Sequence, residues 1–436
     1  MPGPTPPAWS SGLEPLHHAA RDAARALAHR AGSALADSRP GGAVDVVPLD
    51  RAAGRTAAHD VRAACPVPHY ASSAMDGYAV HGPGPWRVVA PGSRAGGSDG
   101  RRLDDHPTDR ATPSSGTPLP SAASAVTLAP GTAVPVVTGG VIPDGTTTVI
   151  REEFATRRGD VLELSQGSPR TELAGRHIRP AGTECAEGET VVRAGTVLSP
   201  AHAAFLAVAG RDDVPVHTVP RVALLLTGSE VRTSGLPAPG YVRDAFSMSL
   251  PPMVEAFGGR TVTVRRGPDD AAALRSLFRE LSAEHDLVVT TGGTSRSRAD
   301  FVRPLVQDEC HVLVDQLDLM PGHPTLFGAA RDTAVLALPG NPLGAMVAFL
   351  LLGGAFLTGH LGRDPQPFAP AIAGEDLAGA RSERLLPARR HEDGWVPCRA
   401  VGSNMVRGLA EAQGLLSVPR DGLVRGQETV VLPLPW

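Results

Sequence analysis

The sequence predicts an α/β multidomain protein: a central doubly wound α/β domain, a β-rich domain, a small helical linker domain and a C-terminal β-domain. Three observations carry this. The length of 436 residues exceeds an ordinary domain of ~100 to 200 residues, so about three or four compact units are expected. Continuous apolar runs from Val222 to Leu226, Leu287 to Val289 and Val335 to Leu338 alternate with helical patterns, as strands buried on both faces of a parallel sheet do. Short β-branched runs broken by Gly and Pro occupy Val44 to about Ile150 and return in the last part of the chain, the mark of small β-rich units.

In chain order, Met1 to Gly12 is rich in Pro, Gly and Ser and is expected to be a disordered leader. His17 to Arg30 places Ala and Leu at helical spacing with Arg and His opposite, which predicts an amphipathic helix. Residues 59–172 form the β-rich domain, and within it Pro91 to Pro120, polar and low in complexity, is expected to be a surface loop. Val191 to Val216 reads as a strand, a helix from Pro200 to Gly210 and a second strand, so 173–217 returns to 13–58 as one discontinuous linker domain. The doubly wound domain spans 218–362, with helices from Asp269 to Glu284 and from Pro342 to Leu357. After Gly362, Arg363, Asp364 and Pro365, strands and turns fill 363–436. There is no internal repeat.

Composition excludes several classes of function. Aromatic residues make up 4% against 42% hydrophobic overall, so the cores must be aliphatic. With a net charge of -4 and no basic run, nothing is suited to track a phosphate backbone, and no nucleic-acid partner is expected. Cys65, Cys185, Cys310 and Cys398 lie far apart without metal-ligand spacing, which favours small buried residues over ligands. The longest apolar stretch, Ala345 to Leu357, is short and interrupted by Gly, and the N-terminus lacks a charged-then-apolar signal. A cytoplasmic protein without a membrane partner is expected.

In an open α/β sheet, ligands bind beyond the carboxyl ends of strands. Three such ends here carry small residues: Thr227, Gly228, Ser229 and Glu230; Thr291, Gly292, Gly293, Thr294 and Ser295; and Pro339, Gly340, Asn341 and Pro342. A single tip of this kind is an ordinary strand-to-helix turn. Three together favour backbone N–H groups approaching a phosphate-bearing ligand. Neither a P-loop nor a G-x-G-x-x-G fingerprint occurs, so ordinary ATPase and dinucleotide readings lack support. Glu230 and Asp300 each follow a tip, where a carboxylate can hold Mg²⁺ or sit in solvent as a turn acid. Asp269 and Asp270 precede a helix and suit capping.

The run Ser73, Ala74, Met75, Asp76, Gly77, Tyr78, Ala79, Val80 resembles the S-A-M-D-G-Y-A-V signature of the molybdopterin molybdotransferase family, related to the gephyrin E domain. The resemblance continues through Thr138 and Gly139, Ile142 to Gly145, Ile178 and Arg179 with Gly182, and the three tips, covering roughly Leu27 to Pro433. It implies a four-domain homodimer whose active site lies between the α/β molybdopterin-binding domain of one subunit and the β-rich domain of the other. It further implies Mg²⁺-dependent insertion of molybdate into adenylylated molybdopterin, with release of AMP. The catalytic acids would be Asp76, Glu184, Glu230, Asp269 and Asp300, with Glu230 and Asp300 on the metal. Thr227, Gly228, Gly292, Gly293, Ser295, Pro339, Gly340, Asn341 and Ser403 would bind the substrates, and other proteins of the molybdopterin pathway are possible partners.

Several positions depart from the family pattern. Glu184 replaces an Asp, Ser229 the Asp of T-G-D-E, Ser297 a Gly and Gly344 a Ser. Where the family reads K-P-G-K-P the chain has Met320, Pro321, Gly322, His323 and Pro324; an upstream Lys is Gln316, and an Arg falls at Pro387. These last changes remove cations where a dianion binds, at ~1.5 to 3 kcal/mol per charged hydrogen bond. A protonated His323 would recover part of this. A diverged paralogue that binds molybdopterin or a partner protein without catalysing insertion is therefore the alternative. A molybdopterin adenylyltransferase or a competence-damage-type hydrolase resembles only Val219 to Leu357, and Ser73 to Val80 argues against both.

Overall fold

A computed structural model describes residues 4–90, 127–168, 175–268, 270–294 and 301–436. The loop expected from Pro91 to Pro120 lies outside the described residues. The chain divides into two compact units, one of residues 1–61, 192–203 and 213–436, the other of residues 62–191 and 204–212.

The first unit is organised by a seven-stranded sheet in the order Leu16–Ala19, His311–Leu317, Leu326–Ala330, Thr333–Leu338, Leu287–Thr291, Arg221–Leu226, Arg260–Arg266. Its central strands are buried runs because each lies between two layers. Leu224, Leu226, Val289 and Leu336 face the Arg21–Asp37, Phe246–Ala256 and Pro342–His360 helices. The intervening Ala223, Leu225, Val288 and Val335 face Leu274 and Phe278 of the Ala271–Glu284 helix and Val306 of Val302–Glu309. Alternate side chains therefore pack on opposite faces, which makes the sheet doubly wound. The parallel sheet expected from the sequence is corrected in one strand, because Leu326–Ala330 runs antiparallel to both its neighbours. A short hairpin connects it to Thr333–Leu338, and such a turn permits only antiparallel pairing.

Other expectations are corrected in the same unit. Part of the Pro-rich leader is ordered by Trp9, which is 8% exposed and donates from its indole N–H to Ala330 O (3.3 Å) and Arg331 O (3.0 Å). Residues 1–3 lie outside the described residues. His17 and His18 begin not a helix but the edge strand Leu16–Ala19, which pairs in parallel with His311–Leu317; the helix runs Arg21–Asp37. The apolar stretch near the end of the α/β region belongs to a 19-residue helix, Pro342–His360, long and apolar enough by length and composition to cross a membrane. Of its most apolar window 89% is buried inside the fold, as in a core helix. Val44–Pro48 pairs antiparallel with Asp213–His217. A six-stranded sheet built around Glu383–His391 and Gly414–Val418 closes the chain.

The second unit holds a six-stranded sheet in which Gly77–Val80 lies between Thr132–Val136 and Thr148–Arg151. Gly77 has φ +152°, and a Cβ there would meet Ile150 O at 2.0 Å, so only glycine fits. Of the cysteines, Cys185, Cys310 and Cys398 are buried and Cys65 half-buried; all four are free.

Candidate functional site

Arg221–Leu226, Leu287–Thr291 and Thr333–Leu338 are parallel neighbours, with Leu226 opposite Thr291 and Thr291 opposite Leu338. Their carboxyl ends are thus level, and the three tips stand side by side. Thr227 ties the first to the second, its Oγ1 donating to Thr291 O at 2.6 Å. Gly292 ties the second to the third through its N–H to Leu338 O at 3.0 Å. At Gly292 φ is +81° and a Cβ would lie 2.9 Å from Thr227 Oγ1; a Cβ on Gly340 would sit 3.5 Å from Gly292 Cα. This close packing needs residues without side chains.

Thr227, Gly228, Ser229, Glu230, Gly292 and Gly293 line one cavity of about 440 Å³, closed by Pro268, Leu274, Phe301 and Val302. The Glu230 carboxylate folds back over Gly228, whose absent Cβ would be 2.9 Å from each of its oxygens. It is exposed, and it enters no ion pair among the described residues. A free carboxylate in the lining of this cavity suits Mg²⁺, which takes one or two protein carboxylates and completes its shell with phosphate oxygens and water. No cluster of three metal-ligating residues exists among the described residues. Asp269, Ser295 and Asp300 lie outside them. Asp270 performs the capping expected of it, accepting from Ala273 N at 2.8 Å.

Two charged residues at this edge escape sequence reasoning. Asp244 is 8% exposed, accepts from Phe246 N (2.9 Å), Ser247 N (3.1 Å) and Ser247 Oγ (2.6 Å), and pairs with Arg266. Burial pushes its carboxyl up, but the Ser247 hydrogen bonds and the Arg266 charge outweigh that and hold it below the usual carboxylate range. Arg303, 6% exposed, bonds to Thr294 O and to Asp315. In sequence each is an isolated charge, indistinguishable from a solvated one.

The segment expected to hold the oxyanion abuts the third tip. A Cβ on Gly344 would lie 3.4 Å from Gly322 N and 3.7 Å from Pro321 Cβ, and Gly344 N donates to Ser403 O at 3.2 Å. Gly322, Gly344 and Ser403 are therefore brought together, with the Ser403 residue exposed. The cation-removing substitutions are not compensated at their own positions. Met320 is 48% exposed, and Pro387 is buried within the Glu383–His391 strand opposite Leu415. Gln316 has φ +69° and bonds through its N–H to Thr325 O at 3.0 Å. His323 Nδ1 lies 2.5 Å from Leu317 O. A carbonyl can only accept, so Nδ1 carries the proton and a neutral ring offers Nε2 as an acceptor. The ring stacks on His18 at a centroid distance of 5.7 Å.

Asp76 and Glu184 belong to the second unit. Asp76 is exposed in the turn before Gly77, its Oδ1 accepting from Thr138 N (2.7 Å) and Thr138 Oγ1 (3.1 Å). Glu184 lines a cavity of about 600 Å³ with Tyr70, Ser72, Gly139 and Arg179.

Residues 19–210 match the family described as the MoeA N-terminal region (domain I and II), and residues 223–358 match that of the probable molybdopterin binding domain. A molybdopterin molybdenumtransferase 2 of Mycobacterium tuberculosis is 30% identical over 397 residues, covering 86% of this chain and 91% of that one. The molybdopterin molybdenumtransferase of Haemophilus influenzae is 28% identical over 305 residues, 70% of each chain. In fold, the chain is similar to a molybdopterin biosynthesis protein of Pyrococcus horikoshii with a TM-score of 0.72, at 24% identity over 90% of this chain and 95% of that one.

Proposed function

Because the chain belongs to the molybdopterin molybdenumtransferase family, named for a transfer step of molybdenum cofactor biosynthesis, we propose that it inserts molybdate into adenylylated molybdopterin in a Mg²⁺-dependent reaction that releases AMP. One observation carries this reading. Two glycine-bearing strand tips and a free carboxylate line a single cavity, with the third tip beside them in the sheet, an arrangement suited to a phosphate-bearing substrate.

Gly292, Gly293 and Gly340 let the backbone approach the phosphates, and Thr227 keeps the first two tips in register. Glu230 would hold the metal, with Asp300 from the following segment. The chemistry Mg²⁺ supplies when bound is neutralisation of phosphate charge at the bond being cleaved. Asp76 and Glu184 are the further carboxylates that this reading assigns to catalysis, and Ser403 offers a hydroxyl to the oxyanion. The protein works as a cytoplasmic homodimer; light scattering that gave an active monomer at micromolar concentration would contradict the assembly. Mixing the purified protein with adenylylated molybdopterin, Mg²⁺ and molybdate should release AMP and yield a product that activates an apo-molybdoenzyme. Neither outcome would occur if the reading were wrong.

A second reading, that of a paralogue which binds molybdopterin without insertion, is favoured by one observation. The chain contains no lysine, its 41 basic residues being arginines, so arginine was available wherever a cation is needed. Positions 316, 320 and 323 carry Gln, Met and His instead. Binding of adenylylated molybdopterin with no AMP release in the same experiment would establish this reading over the first.

A further inference from the structure

Arg303 is buried directly behind the second tip, at 6% exposure, and holds two successive carbonyls of it. Its backbone N–H donates to Gly293 O at 2.9 Å, and its Nε donates to Thr294 O at 3.1 Å. Its Nη2 donates to Asp315 Oδ1 at 2.9 Å, so the carboxylate both neutralises the guanidinium and fixes its plane. In a trans peptide the carbonyl and the following N–H point in opposite directions. With the Gly293 carbonyl drawn back onto Arg303, the Thr294 N–H must face away from it. Among the described residues that N–H meets no acceptor. Gly293 and Val302, the neighbour of Arg303, both line the cavity.

We infer that Arg303 is a positioning residue, which turns the amide donors of the Gly293–Thr294 tip toward the phosphate of the bound substrate by holding that tip's carbonyls from behind. The inference rests on the functional reading above. Without the side chain, the Thr294 carbonyl loses its partner and only the backbone N–H of residue 303 still holds the Gly293 carbonyl, so the tip can rotate about that single bond and turn an acceptor toward the anion in place of a donor. Like charge then meets like: carbonyl oxygen against phosphate oxygen. Lysine keeps the charge and one donor but not the planar fork, so it should restore part of the function.

The test is a binding titration with adenylylated molybdopterin and Mg²⁺, without molybdate, on the full chain and on Arg303→Met, Arg303→Lys and Asp315→Asn. Arg303→Met should raise Kd about tenfold, the loss of roughly one charged hydrogen bond. Lys should fall between, and kcat at saturation should stay within about twofold, since no reacting atom is touched. A folded Arg303→Met with the original Kd, or a Lys variant no better than Met, overturns the inference. If Arg303→Met does not fold, the other two variants decide: weaker binding supports it and unchanged binding overturns it. A natural protein that binds no adenylylated molybdopterin overturns the functional reading and this inference together; binding that is indifferent to all three substitutions overturns this inference alone.

Discussion

Gly32 lies directly against the backbone of Phe356, so closely that a Cβ on it would stand 2.0 Å from the Phe356 carbonyl oxygen. Gly359 repeats the relationship in reverse, with His29 O 2.1 Å from its missing Cβ. Two glycines thus let the Arg21–Asp37 helix and the end of the Pro342–His360 helix touch backbone to backbone. Gly32→Ala should force them apart and destabilise the first unit by about 1–3 kcal/mol or more. Thermal unfolding would show a lower Tm, and an unchanged Tm would contradict the packing described.

Glu230 is exposed and structurally unattached among the described residues, so replacing it should harm chemistry without harming the fold. Glu230→Gln is expected to abolish Mg²⁺-dependent AMP release while leaving Tm within about a degree, since exposed substitutions rarely exceed ±0.5 kcal/mol. Turnover at the original rate would remove Glu230 from the metal.

The oxyanion end should respond to engineered cations. Neutral His323 directs an acceptor nitrogen outward, and only its protonated form offers a donor to a dianion. Met320→Lys combined with His323→Lys should strengthen molybdate binding about tenfold or more at neutral pH. Calorimetric titration of both proteins with molybdate at neutral pH decides the matter: equal affinities in two folded proteins would place the anion elsewhere.

His360 makes a stability prediction remote from the site. It is 1% exposed, neither ring nitrogen has a hydrogen-bond partner among the described residues, and burial pushes its pKa down to about 4, although Asp286 at 4.0 Å pulls the other way. Unfolded, it titrates near 6.5. Above that pH the ring is neutral in both states and its titration contributes nothing to stability. As pH falls from about 6.5 to 4 the unfolded state takes up the proton first, so stability is progressively lost, by roughly 3 kcal/mol in total. His360→Phe should remove this acid sensitivity. Urea midpoints at pH 7 and pH 5 should differ less in the variant; an equal difference would show that other groups set the acid limit.

The sequence made the interior strands legible and the edges obscure. Val222 to Leu226 is buried on both faces, which only a continuous apolar run satisfies. Arg260–Arg266 and Leu16–Ala19 sit at the sheet's two edges, half in solvent, and their polar residues conceal them. Trp9 was hidden for a related reason: a single aromatic anchor among prolines does not alter the composition that suggests disorder. In the site, the tips could be found because glycine after a buried strand is a local signal. Arg303 and Asp244 could not, since what distinguishes them is burial, and burial depends on partners distant in sequence.

The strand Leu16–Ala19 finds its partner, His311–Leu317, roughly 300 residues later in the chain. At a synthesis rate of about 5–20 residues per second, it emerges some 15–60 s before that partner exists. For that interval the apolar face of the Arg21–Asp37 helix, with Leu27, Ala28, Ala31 and Leu35, also lacks the Pro342–His360 helix that packs against it. The amino-terminal segment is thus made first and placed late, and its completion of the sheet must wait until most of the chain has left the ribosome.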